Sequence, residues 1–81
     1  MRRLEMSDAF ALVLKKHRMA KELSQESLAE KANLHPTYIS LMERGLRNPS
    51  LNVSKSLAKA LDTSLTDLIG EAEALQPSTK G

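Results

Sequence analysis

The sequence predicts an all-α fold, a compact five-helix domain, on three observations. Apolar residues recur at three- and four-residue spacings, and no stretch alternates apolar and polar residues as a half-buried strand does. Residues that favour helix starts (Ser7, Ser24, Ser50 or Asn52, and Ser64) stand ahead of these apolar sets. The only aromatic residues are Phe10 and Tyr38, so an 81-residue chain must build its core from Leu, Ile, Val, Met and Ala, as small helical bundles do.

Each element has its own local signal. Ser7 caps a first helix running to about Lys21, with Phe10, Val13, Leu14 and His17 along one side. Ser24 opens a second, which places Leu28, Ala29 and Ala32 on one face. Asn33, among the few residues besides glycine that tolerate the left-handed conformation, ends it. Pro36 starts the third helix at a first position, where its missing N–H costs nothing. Ser50 or Asn52 starts the fourth, which buries Leu57, Ala58 and Leu61. Ser64, with Asp67 three residues on as a weaker variant of the capping box, starts the fifth before Leu68 and Ile69. The domain is expected over residues 7–70, with residues 1–6 as an arm carrying Arg2 and Arg3 and residues 71–81 as a tail that frays beyond Leu75.

Residues 24–45, SQESLAEKANLHPTYISLMERG, therefore read as a helix-turn-helix, the commonest device by which a small protein places one helix in the DNA major groove. At roughly 100° per residue, Ile39 and Met42 of the third helix point inward with Leu34. Thr37 and Arg44 lie opposite, flanked by Ser40 and Leu41, with Tyr38 and Glu43 at the borders. Gln25 sits at the start of the second helix, where free N–H groups and a partial positive charge suit a phosphate, and where it can brace the first turn of the third. His35 reads as a residue of the N-cap region within reach of a phosphate. Leu41 reads either as incidental exposure or as a contact to a thymine methyl group.

Charge is arranged to match. From Arg44 to Leu61 there are four basic residues (Arg44, Arg47, Lys55, Lys59) and no acid; from Asp62 onward there are four acids against Lys80. A net charge of only +2 excludes binding to DNA by bulk charge, so a local basic patch that includes Arg47 and Asn48 has to do it. The absence of cysteine excludes a disulfide framework and a thiolate metal site or nucleophile. His17 and His35 have no metal-ligand spacing, and the three glycines form no phosphate loop, so neither a metal, a cofactor nor catalysis is expected. No apolar run approaches the ~20 residues that span a bilayer, and the expected location is the cytoplasm.

The motifs Leu23-Ser24-Gln25-Glu26-Ser27-Leu28-Ala29, Tyr38-Ile39-Ser40, Glu43-Arg44-Gly45, Asn48-Pro49-Ser50-Leu51 and Leu57-Ala58-Lys59-Ala60-Leu61 resemble the lambda-repressor-like helix-turn-helix domains of the Cro/C1 (Xre) family. The resemblance covers about residues 7 to 70. Thr37-Tyr38-Ile39-Ser40 followed by Glu43-Arg44 is similar, more narrowly, to the controller proteins of restriction–modification systems. It implies that Arg18 and Glu43 form a structural ion pair bracing the third helix. It also marks three departures: Asn33 in place of a turn glycine, Ser54 where an apolar residue is common, and Pro36 where many relatives carry a base-reading side chain. Direct readout then falls on Thr37, Tyr38, Ser40 and Leu41.

The expected function is sequence-specific binding of double-stranded DNA by a homodimer acting as a transcriptional regulator. Leu65, Leu68 and Ile69 of the fifth helix are more apolar surface than one short helix buries against its own core, so some of this surface is the expected dimer seam, with Leu68 shared between core and seam. The domain fills nearly the whole chain, so regulation is expected from concentration, operator arrangement or a partner rather than a sensor domain. The alternative is an antitoxin-like or accessory module in which residues 62–75 bind a toxin or a component of the transcription machinery.

Overall fold

The computed structural model describes residues 5–76, which form five α-helices: α1 (Met6–Ala20), α2 (Gln25–Ala32), α3 (Pro36–Glu43), α4 (Leu51–Ala60) and α5 (Leu65–Leu75). Arg2 and Arg3 lie outside the described residues, as does the chain beyond Gln76.

Three helices start on a serine cap. The hydroxyls of Ser24, Ser50 and Ser64 accept from the N–H groups of Ser27, Val53 and Asp67 at 2.9, 3.1 and 3.0 Å. The first helix departs from expectation. It begins at Met6, one residue before Ser7, and its N-cap Glu5 gives no side-chain bond. Met6 packs against the core, and this burial decides the start over the local serine signal. Asn33 closes α2 in the left-handed conformation (φ 59°), with the Leu34 N–H reaching back to the Ala29 carbonyl at 2.8 Å.

Leu14 and Val13 of α1, Leu28 of α2, Ile39 and Met42 of α3, Leu57 of α4, Leu61 at its C-cap and Leu68 of α5 interlock in one core. The central helix α1 packs on α5 and α3, and α2 packs on α3 and α4. Gly45, at φ +72°, lets the chain leaving α3 pass over the first turn of α1: a Cβ there would stand 2.7 Å from Asp8 Oδ1. Ser54 is buried in α4, and among the described residues no buried side-chain polar atom lacks a hydrogen-bond partner.

The fifth helix corrects two expectations. It runs to Leu75, so residues 71–75 belong to the folded unit rather than to a tail. Ala72, one turn beyond Leu68, continues the buried stripe, and Glu71 is tied to α1 by Lys16 Nζ at 3.1 Å and His17 Nε2 at 2.9 Å. Leu68, expected to be shared between core and dimer seam, is 0 % exposed and lies wholly in the core of the protomer; Leu65 and Ile69 are half-buried.

The hydrogen bond from His17, then that from Lys16, holds the Glu71 carboxyl below the ordinary glutamate range. A carboxyl lowered on folding contributes stability that is complete above its unfolded pKa and is lost as pH falls through its folded one. Glu71→Gln should therefore flatten the loss of stability that the parent shows below about pH 4.5. Thermal melts at a series of acid pH values check this; identical acid limbs for both proteins would exclude Glu71 from the response.

Candidate nucleic-acid interface

The geometry of α3 begins with His35. Its Nδ1 accepts the Thr37 N–H at 3.1 Å, and its carbonyl accepts from Tyr38 and Ile39. Pro36 follows at a position that needs no donor. Ile39 and Met42 are buried, Thr37 and Arg44 are exposed, and Ser40, Leu41, Tyr38 and Pro36 are half-buried. One side of this short helix is thus core and the other is open to a ligand.

The far end of α3 is held by a buried ionic network. Arg18 Nε donates to Glu43 Oε2 at 2.6 Å and Nη2 to Oε1 at 3.0 Å, a bidentate pair, while Nη1 donates to the Leu23 carbonyl at 2.7 Å. Side-chain exposure is 13 % for Arg18 and 3 % for Glu43. Gln25 Nε2 donates to Glu43 Oε1 at 3.1 Å. The bond that Gln25 makes to α3 is therefore to its last turn and not to its first, because the start of α2 crosses α3 beside Glu43. Three helices meet at one carboxylate.

Around the exposed face, Arg18, Ser24, Gln25, Glu26, Pro36, Thr37 and Ser40 line a shallow recess between the starts of α2 and α3. On the other border, the Arg47 guanidinium lies over the Tyr38 ring, 5.6 Å from its centroid. Among the described residues, neither Arg44 nor Arg47 is paired with a carboxylate, so this face carries uncompensated positive charge. Gln25, Pro36, Thr37 and Ser40 are thereby brought together, as are Tyr38 and Arg47. Asn48 is not brought to the recess. It lines a second groove with Met6, Phe10, Pro49, Leu51 and Ile69.

That groove was not legible in the sequence. Leu51, the first residue of α4, is 77 % exposed and forms its apolar rim. The one available signal was that positions three and four residues beyond it are Ser54 and Lys55, which leave Leu51 without an apolar neighbour on its own helix. Glu26, at the edge of the first recess, is likewise a lining residue that helical spacing alone does not single out.

A family model described as helix-turn-helix (HTH_3) matches residues 14–68. The control protein C.SmaI of Serratia marcescens is 41 % identical over 66 residues, an alignment that covers 82 % of this chain and 79 % of that protein. The crystal structure of the restriction-modification controller protein C.AhdI from Aeromonas hydrophila superimposes with a TM-score of 0.75 at 42 % identity, covering 76 % of this chain and 94 % of that one. The clp gene regulator ClgR from C. glutamicum gives a TM-score of 0.88 at 28 % identity, covering 94 % and 97 %.

Proposed function

This chain belongs to the lambda-repressor-like helix-turn-helix family of DNA-binding regulators, and from that premise we propose that it controls transcription, in the cytoplasm, by binding a palindromic operator as a homodimer. Its similarity to C.SmaI and C.AhdI makes control of a restriction–modification system the specific form of that role. The observation that carries the reading is the two-sided character of α3: Ile39 and Met42 fix one side in the core while Thr37, Ser40, Leu41 and Arg44 occupy the other.

With α3 in the major groove, Thr37, Ser40 and Tyr38 approach base edges. Arg44 and Arg47 neutralise phosphates, and the Tyr38 ring holds the Arg47 guanidinium at the groove edge. Gln25 and His35 lie where the backbone passes the starts of α2 and α3, and Asn48 flanks it from the loop after α3. Arg18 and Glu43 touch no DNA; they set the angle at which α3 is presented. The half-buried Leu65 and Ile69, with Leu51, supply the seam between protomers.

Binding to duplexes selected from random DNA tests this. Thr37→Ala or Ser40→Ala should weaken binding to the selected site by about 1–3 kcal/mol without loss of helicity. Arg44→Ala or Arg47→Ala should weaken selected and random DNA alike and lower the salt slope by about one ion. If all four variants bind both duplexes as the parent does, α3 is not the reading helix.

A further inference from the structure

The basic run from Arg44 to Leu61 is only half used by α3. Arg44 and Arg47 flank its outer face, whereas Lys55 and Lys59 stand on α4. At 3.6 residues per turn, Asn52, Lys55, Ser56 and Lys59 share one side of α4, opposite the buried Ser54, Leu57 and Ala58, and all four are exposed. Helix α4 contains no acid, and among the described residues neither lysine is in an ion pair. The two lysines are also four residues apart, a spacing at which like charges repel across a helical turn. Lys59 lies in the last turn, where a cation offsets the partial negative charge of the helix end. Lys55 does not, so that effect leaves it unexplained.

The surroundings of this stripe point to its ligand. At its start, α4 follows closely on Arg47 and Asn48, the loop that flanks the DNA backbone in the proposed complex. Side chains on a helix lean toward its N-terminus, so both ammonium groups reach back toward that loop. At its far end, Lys31, Asn33, Ser56, Lys59 and Asp62 line a groove between α2 and α4. Asp62 is the one acid among these lining residues, and Lys21 already bonds it at 2.9 Å. It leaves Lys31 and Lys59 unbalanced. A cationic helix side with interleaved amide and hydroxyl groups, continuous with a backbone-contacting loop, has the chemistry of a phosphate surface.

Resting on the reading of α3 as the DNA-facing helix, we infer that the outer side of α4 is a second DNA-backbone contact. Lys55 and Lys59, with Asn52 and Ser56, hold phosphates beyond the base pairs that α3 reads. Phosphates carry no direct sequence information, so this contact lengthens the footprint and strengthens binding without changing the operator sequence.

The test compares the parent with the double variant Lys55→Gln, Lys59→Gln, checked by circular dichroism for unchanged helicity. Both bind a duplex selected from random DNA and extended by about one helical turn on each side. The readouts are hydroxyl-radical protection of the backbone, the slope of log affinity against log salt, and the melting temperature. The variant should lose the protection adjoining the stretch covered by α3 and keep the rest. Its salt slope should fall by about two, one ion for each lysine, on selected and random duplexes alike. An unchanged footprint and slope overturns the inference and leaves the stripe to an acidic protein surface. Weaker protection of unchanged extent marks a general effect of net charge and overturns it as well. So does a lower melting temperature at unchanged slope, which reduces the lysines to a structural role. Failure of the parent to enrich any sequence from random DNA is a different result, and it overturns the DNA-reading assignment of α3 itself.

Discussion

Glu43→Ala should lower the melting temperature and the affinity for DNA together. Its carboxylate receives Arg18 through two bonds and Gln25 through a third, and its side chain is 3 % exposed. Removal leaves a guanidinium charge largely shut off from water with only the Leu23 carbonyl as partner. Stranding a buried charge costs about 3–5 kcal/mol, which in a domain of this size corresponds to a fall on the order of 15–30 °C. Affinity follows because the network fixes α3 to α1 and α2. The double replacement Arg18→Met with Glu43→Leu should recover most of the lost stability, since removing both charges leaves nothing unpaired. Thermal denaturation of the three proteins decides the matter. A Glu43→Ala protein as stable as the parent but weaker on DNA would mean that Glu43 acts at the DNA directly.

Leu51→Asp and Ile69→Asp should each give a folded monomer that binds a palindromic duplex at least about 100-fold more weakly than the parent. Both residues line the groove formed with Met6, Phe10 and Pro49, an apolar surface between the starts of α1 and α4 and the face of α5. One such domain covers about one half-site, so operator-level affinity requires two domains held together. Leu51 is the cleaner probe: at 77 % exposure, its replacement removes little from the protomer core. Sedimentation of free and DNA-bound protein provides the readout. A parent that is monomeric at micromolar concentration in both states would remove the seam from this groove and the homodimer from the mechanism.

What the sequence by itself determined is whatever the chain settles over one or two helical turns. The caps at Ser24, Ser50 and Ser64, the left-handed Asn33 and the first-position Pro36 are contacts between near neighbours, so residue type and spacing suffice to place them. The buried side of α3 follows equally from helical period, which puts Ile39 and Met42 together opposite Thr37 and Arg44. Tertiary structure decided the rest, because those features are distances between residues far apart in the chain. Burial of Met6 moved the start of α1 ahead of Ser7, and the bonds from Lys16 and His17 to Glu71 extended the folded unit to Leu75. Packing took Leu68 wholly inside the protomer and left Leu51 on the rim of a groove. The crossing of α2 over α3 put one amide N–H of Gln25 on Glu43, while the His35 cap took the backbone N–H groups of Thr37, Tyr38 and Ile39. Periodicity reports which side of a helix is apolar, but which apolar atoms stay in water, and which polar atoms find partners inside, is fixed only when the helices pack against one another.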